Sequence, residues 1–259
     1  MTRLAKVVTV LCALALAAIC ASPARAQGGE EKEKPHVYTY VAQWDVPRAD
    51  WAAFEKPNPP FDALMAKLLA DGTILDHGSF KSVAHQEGLP NHGGWWSATS
   101  VGNLMKALSA VAALKGNPEL EKIQAASKHW DYILDSRLYG AKHGSFENGY
   151  LRVGTYKSKP HEGEQADKMV KAYIVPLLDK LLADGSIYAY SIDHEAIHTA
   201  DPSYFWMVII ANGPEGLDKF YEGLESNGKA NPTGGPAFGS SVESADHRDW
   251  LSLASGTYK

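Results

Sequence analysis

The segment Leu68-Leu69-Ala70-Asp71-Gly72-Thr73-Ile74 returns 113 residues later as Leu181-Leu182-Ala183-Asp184-Gly185-Ser186-Ile187. Sliding the chain by that offset from Leu64 to Val111 needs no gap. It also matches Lys67 with Lys180, His85 with His198, Ala98 with Ala211, Leu104 with Leu217 and Lys106 with Lys219. Twelve of 48 positions agree, where composition alone would give roughly 3. The flanks match more loosely: Val41 to Trp44 faces Val153 to Tyr156, and His129-Trp130-Asp131 faces His247-Arg248-Asp249. So long a period marks a duplicated domain and not a solenoid, whose units run ~20–50 residues. The copies are expected over 36–139 and 149–259, joined by a linker at 140–148.

Each copy carries the same order of local signals. A strand rich in β-formers opens it, over His36 to Trp44 and Tyr150 to Tyr156. A helix follows, from about Phe61 in the first copy and from about Glu164 to Ala183 in the second. There Met169, Tyr173, Leu177, Leu181 and Leu182 share an apolar stripe, and Pro176 predicts a kink. Both helices stop at Asp-Gly, a C-cap signal. Extended stretches come next (Thr73 to His85, Ser186 to His198), then a third strand (Gly94 to Thr99, Tyr204 to Ala211). A second helix (Val101 to Leu114, Pro214 to Ser226) and a last strand (Trp130 to Leu138, Trp250 to Tyr258) complete the copy. The order β-α-β-β-α-β is the split βαβ, or ferredoxin-like, unit. One such unit leaves an apolar sheet face bare, and a tandem pair covers both faces by packing sheet to sheet.

In this element order and duplication the sequence resembles the dimeric α/β-barrel superfamily, which includes small monooxygenases, haem-degrading enzymes and stress-responsive barrel proteins. The resemblance spans nearly the whole chain after its N-terminal segment. It implies an α+β fold, two tandem βαββαβ repeats closed as a single-chain barrel with an apolar ligand pocket, and it fixes no chemistry.

The N-terminus reads as a secretory signal over 1–26: basic Arg3 and Lys6, an apolar run from Val7 to Ala18, and Ala24-Arg25-Ala26 before the cut. The expected mature protein is therefore exported, periplasmic or extracellular, with a polar leader at 27–35. The apolar run is short for a spanning helix, which needs about 20 residues, and no later segment approaches that length. Cleavage removes both cysteines, Cys12 and Cys20, and with them disulfides, thiolate metal ligands and a cysteine nucleophile. It also removes three basic residues and no acidic ones, taking the formal net charge from −5 to −8. An acidic chain is a poor match for nucleic acid. Because the fusion supplies its own second copy, a monomer is the default and a dimer the alternative.

His194-Glu195-Ala196-Ile197-His198 has the His-Glu-x-x-His form of a zinc hydrolase. That chemistry needs a helix, and Ser186 to Ile192 leads in with strand-like spacing. In a strand the two histidines stand ~13 Å apart, too far for one ion with bonds of ~2.0–2.1 Å. The metal reading therefore ranks last. What both copies keep is His85 and His198, and the pairs His129/Asp131 and His247/Asp249. In a closed barrel, strand 2 of one copy neighbours strand 4 of the other. That arrangement predicts two clusters, His85 with His247/Asp249 and His198 with His129/Asp131, each a carboxylate-oriented imidazole suited to base work. The bland alternative is that these residues cap strands.

Trp44, Trp95, Trp96 and His92 are the candidate ligand-binding residues, as aromatic walls and a polar mouth. Adjacent Trp95 and Trp96 must point to opposite faces of a strand. Asn227 to Ser241, with Thr233-Gly234-Gly235-Pro236, reads as a mobile loop placed to act as a lid. No phosphate-cradling glycine pattern and no Gly-x-Ser-x-Gly elbow occurs, so no cofactor is indicated by motif. The function expected is binding of a small apolar or aromatic molecule, with oxidation or isomerisation as its chemistry. The alternative is a non-catalytic envelope protein used for ligand sensing or assembly.

Overall fold

The structure, a computed structural model, describes residues 34–259 apart from 116 and 200. The signal segment 1–26 and leader residues 27–33 lie outside the described residues. Eight strands carry the fold: β1 (Val37–Asp45), β2 (Asp76–Ser82), β3 (His92–Ala98), β4 (Lys128–Ala141), β5 (Gly144–Lys157), β6 (Ile187–Glu195), β7 (Tyr204–Ala211) and β8 (Arg248–Tyr258). Between them run α1 (Pro59–Ala70), α2 (Val101–Ala112), α3 (Pro118–Ala126), α4 (Gly163–Met169), α5 (Val175–Asp184), α6 (Gly213–Ala230) and α7 (Gly234–Ser241).

The repeated Leu-Leu-Ala-Asp-Gly motif is one turn built twice. α1 runs into Gly72 and α5 into Gly185, whose φ values of 77° and 86° suit a residue without Cβ. One carboxylate oxygen of Asp71 then accepts from the Thr73 N–H and hydroxyl, at 3.0 and 2.6 Å. Asp184 does the same for Ser186. Each turn delivers the chain from helix to the next strand at a fixed angle.

The strands close antiparallel into a barrel in the order β1-β3-β2-β8-β5-β7-β6-β4. Each half thus supplies four neighbouring strands, and two seams join the halves, β2 to β8 and β4 to β6. Closure leaves no free sheet edge. Alternate residues face in and out. Inside, Trp95, Phe146, Leu151, Ala189, Ile210 and Ala254 form one cluster. Outside, α1 and α2 cover the first half through Met65, Leu68 and Leu104 against Tyr40 and Trp96. α5 and α6 cover the second through Leu178, Leu181 and Phe220 against Ile192, Phe205 and Met207. Trp95 and Trp96 accordingly part, one into the barrel and one under the helices.

Several details differ from the sequence reading. The stretch 140–148 is not a linker. β4 runs to Ala141 and β5 starts at Gly144, each strand 14 residues long. They are not neighbours in the barrel, so Lys142 and His143 carry the chain across one end of it. The second extended stretch stops at Glu195, leaving His198 beyond the strand. The expected lid is helical: α6 continues to Ala230, and α7 takes up 234–241. α3, with Ile123 its one buried residue, and the four-residue helix Trp51–Phe54 carry too short an apolar stripe to show in the periodicity. The kink expected at Pro176 takes the form of a π segment, Val170–Ile174, between α4 and α5. A π turn shifts the hydrogen-bond ladder just ahead of a residue that has no N–H to give.

Candidate functional site

The inward side chains do not fill the barrel. They enclose a cavity of about 550 Å³, within the range typical of small-molecule sites. Its walls are aromatic and aliphatic: Phe80, Trp95, Tyr132, Trp206 and Trp250 with Val41, Leu151, Val153 and Val208. Two glycines make room for two of these rings. A Cβ on Gly78 would lie 2.2 Å from the Trp95 ring, and one on Gly93 would lie 2.2 Å from Phe80.

The cavity has one acidic pole. Asp76, at the start of β2, is 7% exposed and lines it. Asp193, on β6, is 4% exposed. Each sits on a seam: Asp76 lies opposite Tyr258 of β8, and Asp193 opposite Ser136 of β4. Their partners are hydroxyls and, for Asp76, the Trp95 indole as well. Ser97 Oγ donates to Asp76 at 2.9 Å and is itself 2.9 Å from Thr39 Oγ1. Ser136 and Ser191 donate to Asp193, the latter at 2.8 Å. Burial pushes the Asp76 carboxyl up to about 7, with the Asp193 charge adding to it. Burial likewise brings Asp193 up to about 6, with Asp135 adding to it. The Tyr258 hydroxyl is raised well above its usual range by burial and by both aspartates. These carboxyls therefore change charge near neutrality, where a proton acceptor or donor is effective.

The residues singled out from the sequence lie mostly elsewhere. Trp95 lines the cavity. Trp44 and Trp96 face the helix layer instead, because the inward phase of β1 and β3 falls on Val41, Gln43, Trp95 and Ser97. His92 is 3% exposed but also points outward. It lies 2.8 Å from Asn91 Oδ1 and 3.3 Å from Glu55, under the rings of Trp51 and Phe54. Its burial lowers its basicity.

The two cross-copy clusters do not form. His85 and His198 are exposed, and the ring contact of His85 is with Trp51. His129 stacks on Trp44 at 4.7 Å and lies 3.1 Å from Asp131, which accepts from Tyr40. His247 stacks on Tyr156 at 4.4 Å and lies 3.5 Å from Asp249, which accepts from Arg152. These are two equivalent pins on the outer face. In each, a histidine and an aspartate at the entry to a half's last strand grip two residues of its first.

The His-Glu-x-x-His segment is strand through Glu195. His194 faces outward, stacked on Phe205 and 3.2 Å from Asp167. Glu195 is buried and accepts from Thr199. The two side chains lie on opposite faces. No group of three or more side chains able to hold a metal comes together among the described residues.

Asp76 and Asp193 were missed. The signal was there: Ala189, Ser191 and Asp193 share the inward phase of a strand whose other phase, Tyr190 and Ile192, is apolar. A charge on the side facing a closed barrel is the anomaly that marks a site.

No protein-family model matches the sequence, and no curated protein matches it. Solved structures do. One is a "putative monooxygenase" of Lactobacillus acidophilus NCFM, with TM-score 0.61 and 11% identity, over 85% of this chain and 94% of that one. Another is a "putative monooxygenase" of Fusobacterium nucleatum subsp. nucleatum, with TM-score 0.60 and 6% identity, over 86% and 94%. What this chain shares with them is the fold, and that fold is the dimeric α/β barrel, closed here within one polypeptide.

Proposed function

We propose that the barrel interior is the binding chamber for a small, mostly apolar or aromatic molecule. The observation that carries this reading is the cavity of about 550 Å³, walled by aromatic rings and with the buried Asp76 carboxyl at one pole. A fold without a ligand fills such a space with side chains. Oxidation or isomerisation is the chemistry proposed, with Asp76 as the proton-transferring group. The names of the two superposable barrels support oxidation, and the near-neutral Asp76 supports proton transfer. The second reading, ligand sensing without turnover, is favoured by the seal that hydroxyls place around both aspartates.

The test fills the chamber. Val153→Phe, at a cavity-lining position, is expected to abolish quenching of tryptophan fluorescence by aromatic ligands while leaving the melting temperature within a few degrees. Unchanged binding in the filled barrel places the ligand elsewhere. Oxygen uptake with a bound ligand separates turnover from sensing.

The halves are further proposed to be tandem ferredoxin-like copies acting as a monomer. The protein is proposed to be exported, with cleavage after Ala26. N-terminal sequencing of protein recovered from the cell envelope or medium tests the export: a chain that still begins at Met1 refutes it.

A further inference from the structure

Two buried carboxyls without a cation have two ways to reach neutrality: keep a proton, or receive a positive charge from outside. Among the described residues no ion pair joins Asp76 or Asp193 to a lysine or arginine, and the His194 imidazole, which favours the Asp193 charge, is itself paired with Asp167. Asp76 accepts from Ser97 and the Trp95 indole, and Asp193 from Ser136 and Ser191, all of them neutral donors. Lys259 borders the cavity, yet its Nζ donates to the Leu69 and Ala70 carbonyls at 3.0 and 3.4 Å, on the last turn of α1. Lys157 is held by Asp201 at 3.0 Å. His194, next to Asp193 along β6, faces outward to Asp167. His143 borders the cavity at the crossing between β4 and β5, where it is exposed to solvent. Arg152, the buried arginine, points outward to Asp249. The remaining groups around the pair, Tyr258 of β8 and Asp135 of β4, bring negative charge or none.

The walls favour the same kind of guest. Trp95, Trp206, Trp250, Tyr132 and Phe80 present ring surface to the space, and aromatic faces attract cations, most strongly when water is excluded. We propose that the chamber selects an organic ammonium ion with an aromatic body, its cationic nitrogen held by Asp76 with the negative charge of the buried Asp193 behind it. This inference rests on the chamber reading above and names the charge class of its ligand. Binding would exchange the proton of the acid pair for the ligand's positive charge. Affinity for an amine should therefore rise with pH through the range where Asp76 and Asp193 ionise, and binding below that range should release protons.

The test compares three probes of one shape, naphthylmethylamine, naphthalenemethanol and naphthoate, titrated into the full-length processed protein by calorimetry. It is run at about pH 5 and about pH 8, in buffers of differing ionisation enthalpy. The amine is expected to bind at least tenfold more tightly than the alcohol at the higher pH, and naphthoate not to bind. The advantage should shrink at the lower pH, where proton release appears. In Asp76→Asn the ratio of amine to alcohol affinity should fall. The wild-type pH series stands on its own should the variant misfold. Equal affinity for amine and alcohol at both pH values overturns the charge selection and leaves the chamber standing. If none of the three binds, both the selection and the chamber fall.

Discussion

At the scale of single residues, the same burial that gives Asp76 its chemistry also costs stability, and the sign can be worked out. Its carboxyl is raised from an ordinary 3.8 to about 7 by burial, with Asp193 adding repulsion. A raised folded-state value means that the folded protein binds the proton more tightly than the unfolded chain. The associated stability is complete below about pH 4 and is lost as pH rises through about 7, at about 1.4 kcal/mol per pKa unit. Asp76→Asn keeps the shape without the charge. Denaturant melts should show the variant gaining on wild type from pH 5 to pH 8, and parallel profiles would refute the buried ionisation. The histidines behave differently. His129 and His247 stack on Trp44 and Tyr156 on the outer face, so alanine at either should cost about 0.5–1.5 kcal/mol. Ligand affinity should not move. A tenfold loss of affinity with the fold intact would return these residues to the site. The sequence pointed to them because both halves keep them, but what two halves of one barrel share is what their framework needs. The acids are asymmetric: by the 113-residue offset Asp76 aligns with Ala189 and Asp193 with Phe80. A comparison of the copies was therefore blind to them, whereas the strand phase was not.

At the scale of elements, the strands were legible because alternation and β-branching are local, and β7 was placed at its exact bounds. Helices with a clear apolar stripe, α2 and α5, were legible for the same reason. α7 was not, since Gly234, Gly235 and Gly239 read as loop and the helix is stabilised by its packing on α4. The crossing between β4 and β5 was equally hidden, because its glycines suggested a break while the pairing of β4 with β6 and of β5 with β8 keeps both strands extended. β2 shows how pairing and cavity shape are joined. Gly78 faces inward, with the Trp95 ring over it and the Ser255 carbonyl 2.7 Å from any added Cβ. Gly78→Ala must therefore displace the indole into the cavity or push β2 from β8. The expected loss is about 1–3 kcal/mol, as for other overpacked cores, together with a change in tryptophan emission. An alanine variant as stable as wild type, with unaltered emission, would show that the ring does not rest there.

At the scale of the whole molecule, the barrel is an agreement between halves that neither can satisfy alone. Separated, the first half would expose the edges of β2 and β4, and the second those of β6 and β8. The inner core is also divided unevenly, Trp95 coming from the first half and Phe146, Leu151, Ala189, Ile210 and Ala254 from the second. Each isolated half would carry an apolar sheet face with nothing on it, a surface that drives association. A chain nicked between Lys142 and His143 should accordingly stay together, because both seams remain paired on either side of the cut. Residues 34–142 expressed alone should either aggregate or pair with a second copy by setting β2 of one against β4 of the other. Size-exclusion chromatography with light scattering, followed by thermal denaturation of each species, distinguishes these states. A monomeric first half with a cooperative melt would mean that the sheet face is covered from within, and the account of the cavity as the space left between two incomplete sheets would then have to be abandoned.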